Sequence, residues 1–357
     1  MNTLKRLAGL RAQIKQQGLA AILVSSAENR RYLSGFTGSA GYLIITPCAA
    51  ILATDSRYVE QAERQAPGFE LRQIAGEAAT WLPQVLLELG IQELVFEADD
   101  LRVSQYDQIK DIFARLGTKL ISSRGLVEKL RALKEPEEVE LITQAASLAD
   151  AAMEHAARVL KPGLSELDLG WEIESYLRSH GSEALPFEVI AAAGPNAALP
   201  HAHPSERPIG PGEPVVIDIG ACIGGYASDL TRTLCAGRPT AELKKIYALV
   251  LRAQENAEAM ISAGTTGSEA DGFARSIIAE ANYGGHFGHG LGHGLGLLTH
   301  EEPRLGPGSQ DTLQDNMVFT IEPGIYVPGW GGVRLEDTVV MKNGRITPLS
   351  RSRKQLN

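Results

Sequence analysis

Histidines are concentrated in one part of the chain. Six of the eight lie between His201 and His300, and four of those occupy the segment HFGHGLGHGLGLLTHEEP, residues 286–303. These four are His286, His289, His293 and His300. Imidazole is the commonest metal ligand and titrates near neutral pH, and glycine lets the backbone pass close to whatever lies there. The segment predicts a metal or acid–base site; a mobile glycine loop with solvated histidines is the alternative.

Two aspartates occupy a predicted β-hairpin formed by VVIDIG and YASDLT. A two-residue loop at 223–224 would place Asp218 directly opposite Asp229, and a loop at 224–225 would place them diagonally. In either register both side chains share one face, because side chains alternate along a strand. A carboxylate in an apolar strand is costly unless it is paired or bound to metal. The alternative is pairing with Arg232 or with turn amides.

Two glutamates repeat this arrangement. The strand ending at Glu322 leads into a predicted loop, Pro323 to Gly332, and the chain returns towards Glu336. An odd-residue loop centred on Gly329 would bring the two glutamates face to face. Four carboxylates brought together would repel one another, and some would stay protonated. Two divalent cations would neutralise them. Oxygen-rich ligation with one imidazole favours Mn or Co, and Zn remains an alternative.

Paired helices must position these hairpins. Long helices are predicted from about residue 136 to 160 and from 241 to 261, each followed by a shorter helix. Ser165 with Asp168, and Ser268 with Asp271, have the spacing of helix N-caps. The pattern predicts two α-then-β halves related by a pseudo-twofold, with the site between them.

The first part of the chain shows no cluster of catalytic residue types. Residues 1–125 alternate between helical and strand patterns, which predicts an α/β domain, and residues 126–357 form the second domain. Predicted strands are 19–24, 42–45, 49–53 and 94–96, with a hairpin between the second and third, and predicted helices are 1–17, 56–64 and 104–116. Arg30, Arg31 and the loop 34–38 either face a site or are ordinary surface and turn residues.

Composition excludes several classes of function. The chain has 357 residues and a net charge of −9, which argues against nucleic acid or an anionic membrane as the main partner. It has neither the apolar core of a signal peptide nor an apolar run long enough to span a bilayer. Three cysteines without a close pair suggest a reducing compartment. We therefore expect a cytoplasmic protein.

Motifs spanning residues 196–337 resemble those of the metallopeptidases that include aminopeptidase P, prolidase and methionine aminopeptidase. The matching stretches are PHAHPSER, VVIDIGA, SDLTRT, GHGLGHGLGLLTHEEP, TIEPGIY and VRLEDT. In the first part, NRRYLSGFTGSAG and TDSRYVEQA resemble the creatinase-like domain of the members that cleave Xaa-Pro bonds. The resemblance implies an α/β (α+β) chain, with a creatinase-like amino-terminal domain and a pseudo-twofold pita-bread catalytic domain.

The resemblance also implies roles for individual residues. It makes Asp218, Asp229, His293, Glu322 and Glu336 the ligands of two divalent metal ions, with Asp229 and Glu336 bridging both. Glu322 would also act as the base, and His201, His289 and His300 would hold substrate and the tetrahedral intermediate. Arg334 would orient a ligand carboxylate. His203 and His286 have no strong counterpart and are expected to have local roles.

The expected activity is hydrolysis of the bond between the first residue of a peptide and a proline in second position, by a homodimer or larger homo-oligomer. Resemblance of SGFTGSAG to aminopeptidase P favours that enzyme, and the alternative is prolidase, which acts on dipeptides only. A basic residue meeting the dipeptide carboxylate would select the latter, with Arg30, Arg31 and Arg57 as candidates. A non-catalytic binding module and a metal-free creatinase-like hydrolase are disfavoured by the five intact ligands.

Overall fold

The computed structural model describes residues 2–356, which form two units. The first unit ends at Arg131 and the second begins at Ala132. The division that the sequence suggests, after residue 125, stays a prediction. No helix within residues 2–356 is both long and apolar enough to cross a membrane.

The first unit is built on a six-stranded mixed sheet. Its strands are β1 (Ile22–Val24), β2 (Tyr42–Ile45), β3 (Ala50–Thr54), β4 (Glu70–Gln73), β5 (Glu93–Glu97) and β6 (Lys119–Ser123), in the order β4-β3-β2-β1-β5-β6. Its helices are α1 (Thr3–Gln16), α2 (Ala27–Ser34), α3 (Val59–Gln65), α4 (Ala78–Glu88) and α5 (Val103–Leu116), followed by α6 (Glu128–Ala132). The predicted β2–β3 hairpin is confirmed. The pattern missed α2, α4, β4 and β6.

Arg30 has a local role within this unit. Its guanidinium is buried and donates to the carbonyl oxygens of Gly38 (2.7 Å) and Gly41 (2.8 Å), so it fixes the loop that follows α2. Burial lowers the pKa of Arg30. Arg57 forms an exposed ion pair with Asp55 at 2.7 Å.

The second unit contains two helix pairs and a set of antiparallel hairpins. The helices are α7 (Pro136–Val159), α8 (Glu166–Ser179), α9 (Ala241–Met260) and α10 (Gly267–Glu280). The first half carries β7 (Ile190–Ala193), β8 (Pro214–Ile219), β9 (Cys222–Ile223), β10 (Tyr226–Ala227) and β11 (Leu230–Cys235). The second half carries β12 (Gly292–Gly294), β13 (Glu301–Leu305), β14 (Val318–Ile321), β15 (Gly324–Val327), β16 (Gly331–Arg334), β17 (Asp337–Lys342) and β18 (Arg345–Pro348).

Each half packs its helices on its own strands. In the first half, α7 and α8 bury alanine and leucine side chains against the sheet β11-β8-β7. In the second half, α9 and α10 cover the inner face of the sheet β13-β12-β14-β17-β18. The apolar side chains of each sheet are buried against the helices. The acidic side chains of the hairpins lie away from this core, and they form the site.

Capping distinguishes the two predicted helix starts. Ser165 caps α8, accepting a hydrogen bond from the amide of Asp168 at 3.0 Å, as its spacing predicts. The prediction for Ser268 is wrong. Thr266 is the N-cap of α10 and forms a capping box with Glu269, because that pair has the same three-residue spacing. Asp271 is left free for a different contact.

Candidate metal centre

The first acidic hairpin turns at Gly224 and Gly225. Ile223 pairs with Tyr226 and the register continues with Asp218 opposite Thr231, so Asp229 lies diagonally across from Asp218. This is the second of the two predicted registers. It keeps both carboxylates on one face, as period-two alternation requires.

The second acidic hairpin turns at Gly329. Ile321 pairs with Asp337 and Gly324 with Arg334, a register that sets Glu322 opposite Glu336. The predicted centre of the turn is therefore confirmed, but the predicted loop is too long. Residues 324–327 and 331–334 are the strands β15 and β16 rather than loop, because their Gly-rich sequence hides the strand pattern.

The glycine-rich segment enters the site as β12, between β13 and β14. A Cβ on Gly292 would lie 2.0 Å from the carbonyl oxygen of Thr320, and one on Gly294 would lie 2.1 Å from that of Glu302. Real side chains cannot occupy either space, so glycine is required for the close backbone approach. His293, between these glycines, is thereby pressed against the second hairpin.

Five predicted ligand side chains converge. Asp229, His293 and Glu336 each place one potential ligand atom within 4.8 Å of the other two. Nε2 of His293 lies 3.3 Å from Glu322 Oε1 and 3.7 Å from Asp229 Oδ2. Asp218 joins the cluster because it lines the same cavity as Asp229, Glu322 and Glu336. The two halves of the unit thus contribute to one acidic site.

Arg334 is the buried cation of this cluster. Its Nη2 lies 2.5 Å from Asp218 Oδ2, its Nε donates to Thr231 Oγ1 at 3.0 Å and its Nη1 donates to Tyr326 OH at 2.9 Å. Thr231 in turn donates to Glu336 Oε2 at 2.7 Å. Arg232, the alternative partner of Asp218, pairs instead with Asp337 at 2.7 Å.

Burial and mutual repulsion oppose ionisation of the carboxylates. The pKa values of Asp229 and Glu336 are raised well above the ordinary range by burial and by the neighbouring acids, and that of Asp218 is raised by burial. Glu322 differs: burial opposes its ionisation, but the hydrogen bond and charge of His293 lower its pKa to about 2. Against its own burial, His293 has a raised pKa because Glu322 accepts its hydrogen bond.

Unpaired oxygens indicate what the cluster is built to hold. Asp218 Oδ1 and Glu336 Oε1 are buried and accept no hydrogen bond from the described residues. A buried carboxylate oxygen without a partner is costly, and a bound cation removes that cost. Oxygen ligands with one imidazole suit divalent metal ions. The residues present therefore fit a divalent metal centre.

The remaining histidines surround a cavity of about 570 Å³. His201, His289, His293 and His300 line it together with the acidic cluster. The rings of His293 and His300 lie 4.0 Å apart, and His289 Nε2 lies 2.9 Å from Tyr326 OH. Burial lowers the pKa values of His289 and His300.

Two histidines have other contacts. His203 Nδ1 lies 2.9 Å from Glu188 Oε2, and both side chains are exposed where they line the cavity. His286 Nδ1 lies 3.0 Å from the carbonyl oxygen of Tyr326.

Arg304 and Tyr326 are site residues without a role predicted from the sequence. Arg304 lines the cavity and faces His293 in the β12–β13 ladder. It forms no ion pair with a carboxylate of residues 2–356. Its position directly after the histidine segment is the signal in the sequence that could have identified it. Tyr326 lies in the quoted TIEPGIY motif, where nothing in the sequence marks its two hydrogen bonds.

Family models match both units. Residues 140–343 match metallopeptidase family M24, and residues 6–133 match the creatinase/prolidase N-terminal domain. The chain belongs to metallopeptidase family M24. It is therefore an enzyme of that family, with a creatinase-like amino-terminal domain and a pita-bread catalytic domain, and family membership implies divalent metal ions.

Relatives in the family are named for Xaa-Pro substrates. A solved Xaa-Pro dipeptidase from Bacillus anthracis is 42% identical, with a TM-score of 0.96 over 99% of each chain. An Xaa-Pro dipeptidase of Pyrococcus horikoshii is 34% identical over 94% of this chain and 95% of its own. A solved X-Pro aminopeptidase from Thermotoga maritima is 33% identical, with a TM-score of 0.87 over 96% of this chain and 99% of its own.

Proposed function

We propose that this protein is an Xaa-Pro dipeptidase that depends on two divalent metal ions. The observation that carries the proposal is the convergence of five predicted ligand side chains on a cavity whose wall contains Arg304, a side chain with no ion pair within residues 2–356. The expectation of aminopeptidase P activity is thereby replaced by its alternative, because relatives named Xaa-Pro dipeptidase include the more similar solved structure.

The metal ions have a defined set of ligands. Asp218, Asp229, His293, Glu322 and Glu336 would hold them. When bound, such ions activate a water molecule and polarise the scissile carbonyl. Manganese or cobalt suits this ligand set best, with zinc as the alternative.

The chain's own residues supply proton transfer and substrate contacts. Glu322 is ionised at neutral pH, and Thr320 donates to its Oε1 at 3.1 Å, so it can accept a proton without losing its position. His201, His289 and His300 line the cavity, where their rings can contact the substrate and the tetrahedral intermediate. A proline in second position has no amide hydrogen, so its recognition rests on shape and on carbonyl contacts.

Arg304 is the group that selects dipeptides. A dipeptide presents its terminal carboxylate one residue beyond the scissile bond, and a charge-assisted hydrogen bond to a guanidinium is a strong contact. Arg304 lines the cavity and pairs with His293 across the β12–β13 ladder. Arg30, Arg31 and Arg57 are no longer needed for this role.

The test compares four substrates at saturating Mn²⁺: an Xaa-Pro dipeptide, its carboxamide, an Xaa-Pro-Xaa tripeptide and a Met-Ala peptide. We expect efficient cleavage of the dipeptide alone. Arg304→Met should raise the KM for the dipeptide about tenfold or more, the value of one charge-assisted hydrogen bond, and leave the carboxamide unaffected. Arg238→Met, an exposed arginine outside the cavity, is the control.

Three results would contradict this function. Cleavage of the tripeptide as fast as the dipeptide would restore the aminopeptidase P expectation. Cleavage of Met-Ala with both proline substrates intact would remove the Xaa-Pro specificity. Undiminished turnover after exhaustive chelation would remove the metal requirement.

A further inference from the structure

An ion pair on helix α10 contacts the segment that carries His289. We propose that Asp271 and Arg275 form a clamp that positions His289 in the cavity. The inference rests on the proposed function, because it is there that His289 contacts substrate. Arg275 and Asp271 do not line the cavity themselves, so they are positioning residues.

The clamp holds three alternate residues of one segment. Arg275 bonds Asp271 through Nε (2.6 Å) and Nη2 (2.9 Å), and its Nη1 and Nη2 donate to the carbonyl oxygens of Phe287 (2.7 Å) and His289 (2.6 Å). Asp271 Oδ1 accepts from the amide of Leu291 at 3.0 Å. The guanidinium also lies over the Phe287 ring, 4.1 Å from its centroid.

The segment between these contacts has few side chains to fix it. Gly288 and Gly290 separate the three clamped residues, and a Cβ at Gly288 would meet open space. Phe287 and Leu291 are buried in the core, and the polar contacts supplement that packing by fixing the backbone carbonyl of His289 between them. The His289 ring depends on that backbone, because its Nδ1 lies 2.8 Å from the carbonyl oxygen of Gly290 in the same segment. Its Nε2 reaches Tyr326 OH, which links it to Arg334.

An ordinary helical ion pair would look different. Glu174 and Arg178 on α8 have the same four-residue spacing, bond each other at 2.8 Å and have exposed or half-buried side chains. Asp271 is buried, with its side chain 3% exposed, and its pair reaches beyond the helix to three backbone groups. A buried pair with such contacts specifies a position rather than adding surface charge.

The experiment uses the full-length Mn²⁺-loaded enzyme and the Xaa-Pro dipeptide. Arg275→Met should lower kcat/KM about a hundredfold, mainly through kcat, because a small displacement of a contacting group has that effect. Arg275→Lys should retain only part of the wild-type kcat/KM, since an ammonium group cannot form the paired hydrogen bonds of a guanidinium. Arg178→Met is the matched control and should change nothing. The thermal stabilisation given by Mn²⁺ should be the same in all three.

A double-mutant cycle tests whether the clamp acts through His289. In a His289→Phe background, Arg275→Met should lower kcat/KM by about threefold or less, because the imidazole that Arg275 positions is absent. A full hundredfold loss of kcat/KM in that background, or wild-type kinetics for Arg275→Met alone, would overturn the clamp while leaving the proposed function intact. Wild-type kinetics for His289→Phe would overturn both the clamp and the role given to this histidine.

Two further measurements keep the clamp testable if Arg275→Met does not fold or if the enzyme cleaves none of the peptides. Asp271→Asn retains an oxygen for the Leu291 amide but weakens the hold on Arg275, and it should show a smaller loss of the same kind. Imidazole nitrogen NMR spectra need no turnover: the His289 signal, assigned through His289→Phe, should move in Asp271→Asn and Arg275→Lys and not in Arg178→Met. An unmoved signal would overturn the clamp.

Discussion

The carboxylate of Asp229 is surrounded by other acids, and this sets its effect on stability. Burial and the neighbouring Glu336 and Asp218 raise its pKa well above the ordinary range, so its ionised form is disfavoured unless a cation is bound. The same residue should therefore weaken the metal-free protein and stabilise the loaded one.

We predict that Asp229→Asn reverses both effects. At pH 7.5 in chelator, the variant should unfold at a higher temperature than the wild type, because a disfavoured charge is removed. In Mn²⁺ at a hundredfold excess over Kd, the wild type should gain about 2.7 kcal/mol and the variant much less. Thermal unfolding measures both, with the exposed Asp107→Asn as control. Equal stabilisation of the variant by Mn²⁺ would show that Asp229 is not a ligand.

At the residue level, the sequence predicted those site residues whose grouping depends on the alternation of side chains along a strand. Asp218, Asp229, Glu322 and Glu336 could be placed on common faces because side chains alternate along strands, and the structure brings them together with His293. Their assignment as ligands stays a prediction. Arg304 and Arg275 could not be found in this way, because the residues that they meet lie on other elements: Arg304 pairs with β12, and Arg275 bonds the backbone of residues 287–289.

Among the elements, β12 shows how backbone spacing constrains sequence. Its glycines face carbonyl oxygens of the adjacent strands at distances that exclude a Cβ, whereas Gly288 in the same segment faces open space. Two glycines a few residues apart therefore differ in what they tolerate, and no feature of the sequence separates them.

We predict that Gly292→Ala destabilises the protein by about 3 kcal/mol or more, because the added methyl group would force β12 away from β14. Gly288→Ala should change the free energy of unfolding by less than about 0.5 kcal/mol, the usual range for a surface substitution. Chemical denaturation measures both. A Gly292→Ala variant as stable as Gly288→Ala would mean that β12 does not pack as closely as the structure has it.

Helix starts illustrate the limit of local patterns. The Ser165 cap was predictable, but at α10 two polar residues, Thr266 and Ser268, each have an acid three positions on. Contacts beyond the spacing make the choice: Asp271 pairs with Arg275 in the same helix and accepts from the distant amide of Leu291, and Glu269 is left to complete the capping box. A pattern of spacing alone contains no information about that competition.

On the scale of the molecule, the acidic site should make stability depend on pH in opposite directions with and without metal. Asp229 and Glu336 have raised pKa values, so the folded metal-free protein retains protons that the unfolded chain releases. Its stability should then fall as pH rises above the unfolded-chain values near ~4. The lowered pKa of Glu322, about 2, acts below this window and does not oppose the trend.

We predict that the thermal stabilisation given by Mn²⁺ grows steadily from pH 5.5 to 7.5, because metal binding requires the ionised carboxylates. Raised pKa at His293 adds to the fall in metal-free stability, while the lowered values at His289 and His300 act against it. Asp229→Asn isolates the carboxylate part, and its metal-free stability should depend less on pH than that of the wild type. A stabilisation by Mn²⁺ that is independent of pH would contradict this account.

The fold as a whole was largely predictable, since an α/β unit followed by two α-then-β halves follows from periodicity and from the family motifs. The elements missed in the first unit, such as α2 and β6, are short and mixed in character, so only their packing defines them.

The close passage of β12 between its neighbours has a consequence for how such a chain would decay. A copy released from selection for activity, but still required to fold, could lose its carboxylates one at a time and gain stability by doing so. It could not lose Gly292 or Gly294 without displacing a strand. The residues that make the segment easiest to recognise would therefore outlast the residues that make it reactive. A relative that keeps the glycine-rich segment but lacks the four carboxylates would therefore be a protein that has kept the fold and lost the activity.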